Sequence, residues 1–235
     1  MSPKIILDKS QFPQHIAFIV DGNRRWAKKN KLLSTQGHKK GSDTVLRVIE
    51  DCLQLGIPVL TFYIFSTENW KRKEKEVNFI MKFGTNFLKK KIDYFHSKNI
   101  KVRFIGRIHE LEGNLKKAID YAEETTKNND KMVVNLAVNY GGRKEIVDAV
   151  NKILENKDIK KVDEETISEN LYTAGLPDPD LLIRTGGDFR ISNYLLWQMA
   201  YTEIVIIPEL WPDLSKEKLH EAITEYQRRQ RRWGK

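Results

Sequence analysis

Six short apolar runs separated by long connections constrain this chain more than any other feature. They are 16–20, "VLTFYIFS" 59–66, "KVRFIG" 101–106, "MVVNLAV" 132–138, "DLLIR" 180–184 and "EIVII" 203–207. Ile16 to Val20 is apolar on both faces, the pattern of a strand buried inside a parallel sheet. Between the first two runs Val45, Leu46, Ile49, Cys52 and Leu53 recur at helical spacing, stopped by Gly56 and Pro58. Residues 76–99, 110–128, 143–156 and 215–232 carry the same amphipathic period, and 157–178 is the weakest stretch for regular structure. Strand, helix, strand repetition of this kind demands crossover connections. The expected fold is α/β, a six-stranded, mostly parallel sheet flanked by helices. The 235 residues suit a single domain over 1–235, with 1–12 as a leading segment.

In such sheets ligands bind beyond the carboxyl ends of the strands. After the first run come Asp21, Gly22, Asn23, Arg24, Arg25 and Trp26; after the second comes "STENWKR", Ser66 to Arg72. "NYGGR", Asn139 to Arg143, follows the fourth, and "RTGGDFRIS", Arg184 to Ser192, follows the fifth. Polar, arginine-rich and glycine-rich segments thus gather on one rim. The run at Asp21 admits a plainer reading, turn chemistry ahead of a solvated basic helix face. The common rim favours function.

Arginine offers a planar fork to phosphate oxygens, and glycine lets backbone N–H groups approach them. Arg25, Arg72, Arg184 and Arg190 on separate loops are therefore candidates for one or two diphosphates. His38 in "QGHKKGS" is either a further donor or a solvated loop histidine. Asp21 among these cations makes sense if a Mg²⁺ joins it to phosphate oxygens. Glu203 either completes that shell or is a strand-entry carboxylate. The net charge is 41 minus 32, or +9, which draws polyanions without choosing among them. Nucleic acid is disfavoured, because the arginines pair with glycines on loops instead of lining a groove with stacking aromatics. No Walker loop, GxGxxG or GxSxG elbow is present, nor zinc-type Cys/His spacing. Cys52 is a core candidate before a catalytic one. The longest apolar run, "IPVLTFYIF", is too short to span a bilayer, and "MSPKIILDKSQ" lacks signal-peptide architecture, so a cytoplasmic address is expected.

Taken in order, "HIAFIVDGNRRWAKK", "GHKKG", "FSTENWKR", "NYGGRKEI", "LIRTGGDFRISNYLLWQMAYTE" and "LWPD" closely resemble the cis-prenyltransferases, the undecaprenyl diphosphate synthase family. The segments run from about Pro13 to Gly234 and are specific as a set. The resemblance implies a hydrophobic tunnel beneath the strand ends and a homodimer. It also implies Mg²⁺-dependent condensation of an allylic diphosphate, typically farnesyl diphosphate, with isopentenyl diphosphate, and peripheral membrane contact for product release. By it, Asp21 is the essential acid that holds Mg²⁺, and Glu203 contributes to the metal. Gly22, Asn23, Arg24, Arg25 and His38 hold the allylic diphosphate, while Trp26 borders the prenyl chain. Asn69 assists proton removal, surrounded by Ser66, Thr67, Glu68, Trp70 and Arg72. Arg184, Arg190, Ile191 and Ser192 bind isopentenyl diphosphate.

The chain departs from the family pattern at Arg24, often glycine, at Ser34, often arginine, and at Lys73, often proline. Trp26, Phe65, Trp70, Phe83 and Phe87 are available as tunnel wall or as ordinary core. Ile64 and Met132 are candidates for the floor that limits product length, which points to the eleven-unit lipid carrier used in cell-wall glycan synthesis. The aspartate-rich DDxxD site of the helical trans enzymes is missing. A non-catalytic partner subunit of the same fold is disfavoured by the presence of Asp21, Asn69 and the RTGG segment.

Overall fold

The computed structural model describes residues 7–229. All six expected strands form one parallel sheet: β1 (His15–Ile19), β2 (Val59–Ser66), β3 (Ile100–Ile105), β4 (Met132–Tyr140), β5 (Leu181–Thr185) and β6 (Glu203–Ile207). Their order is β3-β4-β2-β1-β5-β6. The helices are α1 (Asn23–Lys29), α2 (Ser34–Leu55), α3 (Glu74–Ser97), α4 (Gly113–Thr126), α5 (Gly142–Glu155), α6 (Glu164–Asn170) and α7 (Lys216–Arg228). From β1 the chain winds toward β3 and then resumes on the other side at β5. The crevice of the reversal lies between β1 and β5, where such sheets bind ligands.

Strand alternation divides the core into two layers. Phe18, Leu60 and Phe62 point into the larger layer with Ile49 of α2, Ile92 of α3, Ile119 of α4 and Ile223 of α7. Phe18 and Phe62 stack at 4.9 Å, and Trp211 meets both edge-on at 6.0 and 6.2 Å, favourable aromatic geometries. Ala17, Ile19, Tyr63, Ala137 and Leu182 face the other layer, closed by Tyr140, Tyr194 and Leu195. β1 and β5 are buried at every position, which is why neither shows a polar alternation in sequence.

Helix α2 stops where Gly56 adopts a left-handed φ of 81°. Its N-terminal half carries Gly37 and Gly41, one turn apart, because α1 lies almost on its backbone. A Cβ at Gly37 would stand 2.1 Å from the Asn23 carbonyl oxygen. Helix α6 sits inside the stretch that shows no clear period; Asp163 caps it by accepting from the Thr166 N–H at 2.9 Å.

At the amino ends of the strands, away from the reversal, a buried polar chain fixes β1. The Asn135 amide donates to Thr61 Oγ1 (3.2 Å), Thr61 Oγ1 pairs with His15 Nε2 (2.7 Å), and His15 Nδ1 lies 2.7 Å from the Pro177 carbonyl. A carbonyl only accepts, so Nδ1 carries the proton and the ring is neutral. Burial pushes the His15 imidazole down to about 4, against the smaller upward pulls of the Pro177 carbonyl and Asp180. Above the ordinary value of about 6.5 neither state binds this proton. Below it the unfolded chain takes a proton that the fold refuses, so stability falls as pH drops from about 6.5 toward 4. The expected loss from this group is roughly 3 kcal/mol by about pH 4. Urea unfolding near pH 7 and near pH 4.5 checks it: His15→Gln should show a clearly smaller acid-induced drop than the parent chain. An equal drop would assign acid sensitivity elsewhere.

Candidate active site

The site is built outward from the end of β1. Gly22 turns the chain with φ 121°, and a Cβ there would stand 2.9 Å from Leu210. The Asp21 carbonyl accepts from Thr185 Oγ1 (2.8 Å) and from the Trp211 N–H (2.9 Å), so β5 and the "LWPD" segment both hold this corner. The Asp21 carboxylate faces Arg184 Nη2 at 2.8 Å and Arg25 Nη2 at 3.2 Å. Burial would push the carboxyl up; the Arg184 hydrogen bond and the charges of Arg25 and Arg184 outweigh that and hold it below its ordinary value.

Arg184 is almost fully buried. It donates to Asp21, to the Arg190 carbonyl and to Ser192 Oγ at 3.0 Å. Asp188 gathers Arg190 (2.9 Å), Arg25 (3.6 Å) and Arg184 (3.6 Å). Arg25 also donates to the Gly186 carbonyl at 2.8 Å, and a Cβ on Gly186 would stand 2.3 Å from its guanidinium. The first glycine of RTGG thus makes room for Arg25 itself.

Across the basin Glu76 plays the same part. Its carboxylate meets Arg72 (3.2 Å), His38 (3.4 Å) and Arg24 (3.8 Å). Burial lowers His38, and Glu76 pulls it only partly back. Asn69 Oδ1 accepts from the Ser66 N–H at 3.2 Å, which fixes its amide, and Glu68 accepts from Asn193 at 3.0 Å.

These groups surround a basin of about 1040 Å³. The Asp21–Arg25 segment and His38 line it on one side; Ser66, Glu68, Asn69 and Arg72 line the second; Arg184, Arg190 and Ser192 line the third. Ser34 lines it as well. Four expected residues stand back from the lining. The Trp26 indole donates to Asp213 at 2.6 Å, so Trp26 braces α1 against "LWPD" and does not border the site's apolar part. Trp70 donates to Asn139 Oδ1 at 2.7 Å, Thr67 lies against Gly141, and Ile191 packs on the second core layer.

Glu203 needs a larger correction. It opens β6 in register with Leu181, at the amino end of the sheet, and pairs with Arg229 at 2.9 Å. Asp21 lies beyond Ile19, the residue level with Arg184. Five residues of strand, roughly 16 Å, separate the two levels, so one chain does not bring Glu203 to Asp21. A strand's first residue and its last lie on opposite rims, and the first run's acid follows its strand where the sixth precedes it.

Beneath the basin an apolar cavity of about 140 Å³ shares Val20, Asn23, His38 and Ile64 with it. Phe65, Phe83 and Phe87 wall it, and Phe104, Ile119 and Leu136 lie at the β3 side. Met132 is buried core at the opposite end of β4 and is not in this lining.

Sequence patterns missed the residues that organise the loops. Glu76 and Asp188 look like solvated charges. Asn139 ties Trp70 to Glu110, accepting from the first and donating to the second at 2.8 Å. Glu145 is buried and accepts from the Tyr140 hydroxyl, the Tyr172 N–H (3.0 Å) and Gln198 (3.1 Å). Only the helical phase of Glu145, one turn before Ala149 on the inward face, could have marked it.

Among the described residues no group of three or more His, Cys, Asp or Glu could hold a metal ion alone. The donor set still fits Mg²⁺, which typically takes one or two carboxylates together with substrate phosphates. Asp21 offers an ionised carboxylate at the rim among phosphate-matching arginines.

An anion-binding rim at the reversal of a parallel sheet, opening onto an apolar cavity, defines a transferase fitted to diphosphates with apolar tails. The prenyltransferase family model described as undecaprenyl diphosphate synthase matches residues 19–234. An isoprenyl transferase of Clostridium perfringens is 46% identical, over 99% of this chain and 94% of its own length. The (2E,6E)-farnesyl-diphosphate-specific ditrans,polycis-undecaprenyl-diphosphate synthase of Micrococcus luteus is 45% identical, over 97% and 94%. The structure of lavandulyl diphosphate synthase from Lavandula x intermedia, in complex with dimethylallyl diphosphate, superposes with a TM-score of 0.92 at 36% identity, covering 96% of this chain and 100% of that one. The chain belongs to the undecaprenyl diphosphate synthase family of prenyltransferases.

Asp21→Ala should reduce turnover on the order of 10³-fold or more, about 4 kcal/mol of barrier. The backbone corner stays held by Thr185 and Trp211, so the circular dichroism spectrum should not change. Retention of a tenth of the parent rate at saturating Mg²⁺ contradicts the assignment.

Proposed function

We propose that this chain condenses farnesyl diphosphate repeatedly with isopentenyl diphosphate to give a long cis-polyprenyl diphosphate, the eleven-unit carrier of cell-wall glycan synthesis. The observation that carries the reading is the direct continuity between the arginine-lined basin and the apolar cavity through Val20, Asn23, His38 and Ile64. The name of the Micrococcus luteus relative supports the farnesyl starter and the product.

In each cycle the allylic C–O bond breaks, a carbon–carbon bond forms to the isopentenyl unit, and that unit loses one proton. Arg25 and the neighbouring backbone at Gly22 and Asn23 receive the allylic diphosphate, whose charge grows as it leaves. Fixed donors aimed at growing charge are the commonest large contribution to catalysis. Asp21 would hold Mg²⁺, which when bound would supply charge neutralisation to the departing diphosphate. Arg190 and Ser192 receive the isopentenyl diphosphate, and the shared basin supplies orientation. Asn69 is an amide and too weak a base to keep a proton; it orients the isopentenyl unit, and the proton passes to the departing diphosphate. The apolar walls keep water from the electron-deficient carbon.

A cavity of about 140 Å³ matches the size that admits benzene, so a growing chain must part its walls. A homodimer and a cytoplasmic address belong to the same proposal. Exposed Val147 and Leu154 on α5 support the first, and no described helix is long and apolar enough to cross a membrane.

Incubation with farnesyl diphosphate and labelled isopentenyl diphosphate, followed by mass analysis of the lipid, tests the reading. An eleven-unit product that vanishes with EDTA is expected; a short or dolichol-length product refutes the chain length. Because Arg184 braces Asp21 as well as the Arg190–Ser192 segment, Arg184→Ala should impair use of both substrates. Arg190→Ala should chiefly raise the KM for isopentenyl diphosphate. Met132→Ala should cost about 2–5 kcal/mol of stability with no change in product length, whereas Leu136→Ala should lengthen the product. Unchanged products from a folded Leu136→Ala enzyme would remove Leu136 from the floor.

A further inference from the structure

The surplus charge of this chain is concentrated in one place. Residues 22–42 contain Arg24, Arg25, Lys28, Lys29, Lys31, Lys39 and Lys40 and no acid, seven of the net +9 charges. They form the α1–α2 hairpin. Arg24 and Arg25 turn inward to Glu76, Asp21 and Asp188. The five lysines are exposed. None of them has a carboxylate partner among the described residues, unlike Lys116, Lys127, Lys216 and Lys218 elsewhere on the surface.

At the tip between the helices stand Leu32 and Leu33, exposed at 40% and 74%. A floppy loop would explain this cheaply, but the tip is tied down. Helix α1 ends in a Schellman arrangement: the Leu32 N–H donates to the Ala27 carbonyl (2.8 Å) and the Lys31 N–H to that of Lys28 (3.1 Å). Lys31 holds the left-handed position with φ 57°, where glycine or asparagine is the usual, less strained occupant. The fold thus accepts strain and keeps a cation beside two rigidly presented leucines. Helix capping accounts for Lys28 and Lys29 in the last turn of α1. It does not account for Lys31, or for Lys39 and Lys40 in the second turn of α2.

We propose that the α1–α2 hairpin docks the enzyme on an anionic lipid surface, with Leu32 and Leu33 inserted among the acyl chains and the lysines at headgroup level. Aliphatic tips ringed by unpaired lysines match a membrane interface, where apolar insertion and attraction to anionic lipids add. A nucleic-acid surface would present stacking aromatics instead. Lys28, Leu32 and Ser34 also line the basin, so docking brings its mouth to the interface. The purpose of that placement, delivery of an amphiphilic product, rests on the proposed reaction; the docking itself does not.

Flotation of the full chain with vesicles separates the two. The parent protein should float with vesicles rich in phosphatidylglycerol, much less with pure phosphatidylcholine, and salt should weaken the first. Leu33→Ser keeps a good helix N-cap at that position and should lower partitioning at least roughly tenfold. Lys29→Gln with Lys31→Gln should cost roughly tenfold or more, the weight of two interfacial cations. In both variants condensation of farnesyl and isopentenyl diphosphates in detergent should match the parent, so a lost reaction and a lost docking are read separately. Failure of the parent to float, flotation of Leu33→Ser equal to the parent's, or preferential binding of polyuridylate over the anionic vesicles would each overturn the proposal.

Discussion

The pairing of Asp21 with Arg184 across the reversal between β1 and β5 is the contact on which the rest of the site depends. Both side chains sit at strand ends, so the sheet register itself sets their separation. A guanidinium this deeply buried is costly without partners. Arg184 recovers that cost from Asp21, the Arg190 carbonyl and Ser192, and in doing so closes the 184–192 segment over the crevice. The Asp21 carboxylate and the 184–192 segment are therefore one mechanical unit.

A second unit holds the loops from behind. Tyr140 and Glu145 belong to "NYGGRKE", yet neither lines the basin. The Tyr140 hydroxyl donates to Glu145 and accepts from the Leu195 N–H at 3.2 Å, while Glu145 also takes Gln198. Tyr63 stacks on Tyr194 at 4.5 Å and donates to the Ser192 carbonyl at 3.3 Å. Burial raises Glu145, and the three donors pull it partly back, so removing any one donor leaves a buried acceptor short of partners. Asn139, one residue earlier, does the same for the Ser66–Arg72 loop through Trp70. The motif braces loops and stays out of the basin's lining.

This explains which parts were legible in the sequence. The strands were, because parallel strands buried throughout, as β1 and β5 are, must be largely apolar; the bounds of β2 and of the part-buried edge strand β6 coincide with their apolar runs. The site segments were, because α/β sheets place function after strands. Glu203 escaped this logic because it precedes its strand, and a family motif carries no information on which rim a residue occupies. Trp26 came from the resemblance and Met132 from its place at the start of the fourth strand; neither ground says whether a residue lines a cavity, braces a helix or fills the core. Glu76 and Asp188 were invisible because their role exists only once distant arginines arrive beside them.

Those two carboxylates change how the basin must work. Arg24, Arg25, Lys28, Arg72, Arg184 and Arg190 bring six positive charges, and Asp21, Glu68, Glu76 and Asp188 bring four negative ones. The local balance is thus only +2, less than the charge of two diphosphates. On the proposed reaction, binding is an exchange in which phosphate oxygens would replace Glu76 or Asp188 as partners of arginines already held in place. Pre-ordered side chains lose less freedom on binding than free ones. Asp21 cannot be exchanged in this way, because its backbone is anchored by Thr185 and Trp211. On the proposed reaction, a diphosphate arriving beside it would meet a fixed like charge, which a divalent cation held by Asp21 would offset. The same fixed carboxylate would, on that reaction, hold such an ion where the leaving group's charge grows.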